Sequence, residues 1–252
     1  MKNQYVGDIN DYRKYGLLRI LSKLDKVRMA VCWMLTQDDQ RSDGGKTAYL
    51  QKPDRWKDYD KELFDSLSQC LKDPKKRNVQ WVKNAKILPD STVFYSPWVP
   101  KNERKRKDYF SRLYKRLSAP PDSAPTCNLV FFDPDNGLEI KSKRRGRIGS
   151  CKYLYMDEIK RTFGRRFSLL IYQHFPREKR DLFIERRATE LIELTQAKKV
   201  FSLRTGHTVF FLVPLPGFED DFQGQCKKVT EVWGAEIQIA CWPCLSNARM
   251  KL

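Results

Sequence analysis

Histidine is scarce in this sequence, with two in 252 residues, and long apolar runs and paired cysteines are scarcer still. Two histidines cannot build a His-rich metal centre. No stretch approaches the ~20 apolar residues of a membrane helix. Met1-Lys2-Asn3-Gln4-Tyr5 carries no apolar run behind its charge, so no secretory signal is expected and a cytoplasmic location is. Seven cysteines lie scattered along the chain, an odd number that suits free thiols of a reducing compartment rather than a disulfide framework. The close pair Cys241-Trp-Pro-Cys244 is half a zinc site, with no second pair and no histidine cluster to complete it. Neither a metal nor another cofactor is therefore expected. Repeats and low-complexity linkers are also missing, and a single domain over residues 1–252 is the simplest reading.

What is abundant is positive charge. Lys and Arg number 49 against 31 Asp and Glu, a formal net charge of +18. Such an excess concentrates polyanions at the surface, and double-stranded DNA is the expected partner. No basic helix carries the clean apolar face of an interfacial membrane helix. No obligate protein partner is inferred.

Apolar periodicity predicts a helix over 8–24, a strand over 28–35, a helix over 57–71, a strand over 92–98 and a basic helix over 101–117. After the breaker Ala119-Pro-Pro-Asp122, residues 128–132 read as the clearest buried strand. Residues 167–172 are another, followed by a helix over 179–194, a hairpin of 199–203 with 208–213, a helix over 219–233 and a strand over 235–240. Strands alternating with helices predict an α/β three-layer sandwich, with a mostly parallel central sheet and an antiparallel C-terminal portion. Ligands of such sheets bind beyond the carboxyl ends of the strands. The polar loops 36–46, 133–137 and 173–177 leave such ends and are the expected walls of one crevice.

Asp133-Pro134-Asp135-Asn136-Gly137 puts two carboxylates and an amide within five residues, directly after an apolar strand. Pro134 ends the ladder, and Asn136-Gly137 suits the positive φ of a tight turn. The same residues make ordinary turns, but five Lys or Arg follow within 141–147. Asp133 and Asp135 are the candidate catalytic carboxylates, with His174 as a group able to bind substrate, steady anionic charge or shuttle a proton. Asn136 and Gln173 are candidate substrate contacts. His207 falls in the hairpin turn and reads as structural. Near the amino end, Asp8 or Asn10 can cap the first helix, yet with Tyr12, Lys14 and Tyr15 they also suit a surface that stacks on bases and pairs with phosphate. The acidic loop with Asp38, Asp39 and Asp43 reads as solvated, and Asp38 is also a candidate substrate contact. Lys105, Arg144, Arg145, Arg147 and Arg177 are the candidate DNA contacts.

Three reactions suit these residues. An amino-methyltransferase places Asp/Asn-Pro-Pro-aromatic after such a strand and carries a late hairpin. Here, however, Asp135 and Asn136 stand at the second proline and the aromatic, and no Gly-x-Gly follows the early strand. A metal-dependent nuclease would use Asp133, Asp135 and Asp38, without an ordered Asp…Glu-x-Lys set. A DNA glycosylase needs a carboxylate for the sugar cation and its water, an amide or imidazole for the departing base, and a basic surface for flipped DNA. A plain DNA-binding module without chemistry is the non-enzyme reading.

The strand-end Asp-Pro, the strand-end His-x-Pro and the basic flanks are similar to the uracil-DNA glycosylase superfamily, which has Asp-Pro-Tyr and His-Pro-Ser in those places. Asp135 replaces the tyrosine, Phe175 separates His174 from Pro176, and Phe131-Phe132 stand where that superfamily has Gly-Gln. Over its length the chain resembles a bacterial anti-phage DNA glycosylase family, on Tyr5-Val-Gly-Asp-Ile-Asn-Asp-Tyr-Arg-Lys-Tyr-Gly-Leu-Leu18, Phe131-Phe-Asp-Pro-Asp-Asn-Gly-Leu-Glu139 and Tyr172-Gln-His-Phe-Pro-Arg177. The resemblance implies removal of glucosylated 5-hydroxymethylcytosine from phage DNA, leaving abasic sites. From the chemistry, Asp133 or Asp135 would steady the sugar cation and orient water, and Asn136 and His174 would hold the base. Arg144, Arg145 and Lys105 would contact phosphate.

Overall fold

Asp8 leaves the chain in extended backbone and accepts a hydrogen bond from the Asn10 amide at 2.7 Å, which starts α1 (Ile9–Leu21). Eleven of its thirteen residues are buried, all but Asn10 and Arg19. A helix enclosed on every side is a core element rather than a surface one. Gly16 permits this depth, because a Cβ there would lie 2.2 Å from the Trp233 ring.

The structure, a computed structural model, describes residues 1–38, 44–118 and 128–243. The breaker at 119–122, Cys127, Cys244, Asp39 and Asp43 lie outside the described residues. The strands are β1 (Met29–Cys32), β2 (Val93–Tyr95), β3 (Leu129–Phe132), β4 (Gly137–Leu138), β5 (Tyr153–Leu154), β6 (Ser168–His174), β7 (Val200–Arg204), β8 (Thr208–Val213) and β9 (Gln238–Trp242). The remaining helices are α2 (Pro53–Trp56), α3 (Lys61–Leu71), α4 (Val79–Asn84), α5 (Glu103–Leu117), α6 (Met156–Gly164), α7 (Arg180–Thr195) and α8 (Glu219–Trp233).

Seven strands form one sheet in the order β2-β1-β3-β6-β8-β7-β9. β2, β1, β3 and β6 are parallel, while β8 runs antiparallel to β6 and β7, and β9 antiparallel to β7. β4 and β5 make a separate two-residue parallel ladder. Alternate strand residues divide into two apolar layers. Val31, Phe131, Leu170, Phe210 and Leu203 share one layer with residues of α1, α3, α4 and α8. Cys32, Phe132, Ile171, Phe211 and Val200 share the other with residues of α5, α6 and α7. This is the expected three-layer α/β sandwich, parallel in its first half and antiparallel toward the carboxyl end.

Several boundaries differ from the sequence reading. α3 starts at Lys61 rather than residue 57, because Asp60 accepts from the Leu63 amide and caps it there. β1 and β2 are shorter than expected, and Leu35 and Trp98 pair as an isolated bridge beyond them. α2, α4, α6, β4 and β5 were not expected; most are too short for a periodic signal. The largest consequence is in β6. It runs two residues past Tyr172, so Gln173 and His174 sit in the strand, paired with Val209 and Thr208, instead of in a loop.

Candidate active site

The registers Cys32↔Phe132 and Phe132↔Ile171 bring the carboxyl ends of β1, β3 and β6 to one edge. Asp133 extends β3 by one bond, its amide donating to the Cys32 carbonyl at 3.0 Å. Pro134 has no amide hydrogen and ends the ladder. The loop that follows is tied on both sides. The Asn136 amide donates to the Lys152 carbonyl at 2.9 Å. The Gln173 side chain accepts from the Leu138 amide at 2.7 Å and donates to the carbonyls of Asn136 at 3.2 Å and His174 at 2.5 Å. Gly137 holds φ +113°, and a Cβ there would meet the Gln173 Oε1 at 2.3 Å. Only glycine allows that approach.

Beyond this edge lies a cavity of about 420 Å³. Asp133, Pro134 and Asp135 line it from the loop after β3, Tyr172 and His174 from β6, the cap Asp8 with Asn10, Asp11 and Lys14 from the start of α1, and Met1, Tyr5 and residues 44–46 complete the wall. Lys14 is buried and donates to Asp11 Oδ1 at 2.7 Å and Asp133 Oδ2 at 2.8 Å. Its ammonium sits 4.9 Å from the centre of the Tyr172 ring. Tyr15 donates its hydroxyl to the second Asp11 oxygen at 3.0 Å. Burial opposes the charge on Lys14, but the two carboxylates outweigh it and hold the ammonium above its ordinary range. Burial pushes the Asp11 carboxyl up to about 6 in spite of Lys14. The Met1 amine donates to the Asp133 carbonyl at 2.9 Å, and burial lowers its pKa.

Asp135 is held differently. Its Oδ2 accepts from the Thr36 hydroxyl at 3.2 Å and lies 3.4 Å from the Lys152 ammonium and 3.9 Å from that of Lys2. Its Oδ1 is buried and, among the described residues, has no hydrogen-bond partner. Asn10 Oδ1 is a second buried acceptor in that condition. Leaving such an atom unpaired costs about 1–3 kcal/mol, which a bound ligand or water recovers. His174 packs edge-on against Tyr172 at 5.0 Å. Burial lowers its pKa to about 4 against the pull of Asp135 and Asp133, so the imidazole is neutral at neutral pH.

Asp133, Asp135, His174, Asp8 and Asn10 therefore meet at one cavity. The expectations for seven other residues change. Gln173 is consumed by three hydrogen bonds to backbone and holds the loop instead of facing substrate. Asn136 is outside the cavity wall and serves that staple through its backbone. Tyr12 is fully buried among Tyr49, Trp56, Phe64 and Trp233, so it is core and not a stacking surface. Lys14 and Tyr15 turn inward likewise. Asp38 stands apart from the cavity wall, where it accepts from the Gln4 amide at 3.4 Å. Arg145 lies 4.5 Å over the Tyr155 ring and pairs with Asp157, a stacked and neutralised position. Lys105, Arg144, Arg147 and Arg177 are exposed. The sequence reading missed Asp11, Thr36, Lys2, Lys152 and Tyr172; the Asp11–Lys14 spacing of three on one helix was the available signal.

Among the described residues, no group of three His, Cys, Asp or Glu is placed to hold a metal ion, and no helix is long and apolar enough to cross a membrane. No family model and no curated protein matches the chain. Among solved structures, protein LPL1258 from Legionella pneumophila str. Philadelphia 1, of family-model DUF519, is similar over 94% of this chain and 96% of its own. The TM-score is 0.47 and the identity 11%, a distance at which the likeness carries no argument about chemistry.

Proposed function

We propose that this cavity is the active site of a DNA N-glycosylase. The observation that carries the reading is Asp135: a buried carboxylate with one oxygen held by Thr36 and two lysines, and the other, beside the cavity, without a partner among the described residues. That free oxygen orients a water molecule and takes its proton as the water attacks C1′ of the nucleotide. The electrons of the C1′–N bond leave with the base. His174, neutral at neutral pH, donates an N–H to the oxygen on which negative charge gathers. Asn10 Oδ1 accepts from an exocyclic amine of the base. Asp133 contributes through Lys14, which fixes its carboxylate and keeps the wall charged but balanced.

The substrate comes from the resemblance to the anti-phage glycosylases: glucosylated 5-hydroxymethylcytosine in phage DNA. A volume of about 420 Å³ suits a base carrying a sugar, since sites of roughly 300–1,000 Å³ take drug-sized ligands. The test is incubation of the purified protein with glucosylated and unmodified phage DNA in EDTA, scoring alkali-labile sites. Sites in the glucosylated DNA alone support the reading. Strand breaks that need a divalent metal, or no sites at all, overturn it.

One observation favours a second reading. The β7–β8 hairpin and the Asp-Pro loop at the end of β3 are where an amino-methyltransferase would have them. Against it, β1 runs into Trp33-Met34-Leu35-Thr36, with no glycine to admit a cofactor. Transfer of label from S-adenosylmethionine to DNA would decide for it.

A further inference from the structure

Five large hydrophobic side chains are exposed among the described residues, and three of them, Trp98, Ile140 and Ile148, stand in or beside the two cationic segments. Ile148 is 88% exposed and Trp98 51%. Ile148 lies between Gly146 and Gly149, both at positive φ, at the outer part of the segment joining β4 to β5. Its neighbours Lys141, Arg144 and Arg147 are exposed cations. Trp98 stands in Pro97-Trp98-Val99-Pro100, just before exposed Lys101, Arg104, Lys105 and Lys107.

Both are fixed to the same framework. The Val99 amide donates to the Leu35 carbonyl at 2.9 Å, and the next residue, Thr36, holds Asp135. The segment carrying Ile148 ends at Lys152, whose carbonyl accepts from Asn136 and whose ammonium faces Asp135. Between the two, buried Arg106 of α5 pairs with Glu158 at 2.6 Å and donates to the Tyr153 carbonyl at 2.6 Å and the Ser150 carbonyl at 3.4 Å. That joint packs the start of α5 against the root of the β4–β5 segment.

We infer that these two segments together bind DNA that already contains unpaired bases, with Trp98 stacking on an exposed base and Ile148 entering the opened stack. Cations alone fit a phosphate backbone and predict no preference for base exposure. Aromatic and aliphatic groups set among cations contact base faces, which a closed duplex conceals. The inference rests on the glycosylase reading only in taking DNA as the polymer. An anionic membrane is the other surface that cations with isolated apolar groups can meet, and it enters as an outcome of the test.

The experiment is fluorescence anisotropy in EDTA with unmodified DNA, comparing a paired duplex with an equal-length duplex carrying an unpaired bubble. The bubble should bind roughly tenfold more tightly, the scale of one base–aromatic stack. Trp98→Ala and Ile148→Ala should each remove most of that preference, and Trp98→Phe should keep it. Arg144→Glu with Arg147→Glu should weaken both DNAs alike and flatten the salt dependence. Equal binding of the two DNAs by the wild type, an unchanged preference in Trp98→Ala and Ile148→Ala, or binding to phosphatidylserine vesicles with neither DNA bound overturns the inference. Because no base is released in this assay, a protein that prefers the bubble yet excises nothing sinks the glycosylase reading alone. Excision without the preference sinks this one alone.

Discussion

Asp133 and Asp135 leave β3 two residues apart, and the two walls they form are built to opposite rules. On the α1 side, Asp133, Lys14, Asp11 and Tyr15 close a buried network in which the ammonium bridges two carboxylates. Asp135 on the loop side, joined by Asn10 at the first turn of α1, keeps a buried oxygen that has no partner among the described residues. A saturated network holds geometry, since its desolvation cost is repaid only while every member stays. An unsaturated acceptor is a place left for something else. On the proposed function, the first wall carries stability and the second the chemistry.

The largest expected effect strikes the saturated wall. Lys14→Met strands two carboxylates in the interior and should cost about 3–5 kcal/mol, read as a fall in thermal midpoint. Retention of wild-type stability would break the comparison. Next is Asp135→Asn, which keeps an oxygen for Thr36 but removes the charge facing Lys2 and Lys152; it should lower the midpoint less than Lys14→Met while slowing base release about a hundredfold or more. A large loss of stability with little loss of rate would reverse the two roles.

The pH dependence separates the walls further. The folded pKa of His174 lies below its ordinary value, so on acidification the unfolded chain takes the proton first. Its contribution is full above about pH 6.5 and fades toward pH 4, by up to about 3 kcal/mol. Asp11, raised to about 6, acts with the opposite sign over much of that window, because the folded state takes its proton first. The net curve is therefore shallow. The measurable quantity is the stability difference between wild type and His174→Gln, which should shift in favour of the variant as pH falls from 6.5 to 4. A difference independent of pH would show His174 to be solvated. Smallest is Asn10→Leu, which removes an unpaired acceptor. Stability should hold, and KM should rise several-fold, the scale of one neutral hydrogen bond at about 1 kcal/mol.

Much of this fold was legible because strong apolar runs carried it. Leu129-Val-Phe-Phe132 reads as a buried strand, and Asp133-Pro134 marks its end; both stand where expected. The β7–β8 hairpin and α8 did too. What escaped, apart from nine-residue α6, were elements of two to six residues, such as β4 and α4, in which tertiary contact rather than periodicity decides. The site was half legible. Asp133, Asp135 and His174 were readable from strand-end position alone. Tyr12 and Lys14 were misjudged as surface groups because polar atoms on a helix usually face water, and nothing local announces that α1 is enclosed by α3 and α8. Gln173 looked like a substrate contact because the extra length of β6 comes from its pairing with β8, a contact distant in sequence.

The most direct measurement is single-turnover base release from glucosylated phage DNA by wild type, Asp133→Asn and Asp135→Asn, with the thermal midpoint of each recorded alongside. The expected result is abasic sites with wild type, their loss in Asp135→Asn with a smaller fall in midpoint than in Asp133→Asn, and a clearly lowered midpoint in Asp133→Asn. Base release by Asp135→Asn at the wild-type rate would contradict the division between the two carboxylates.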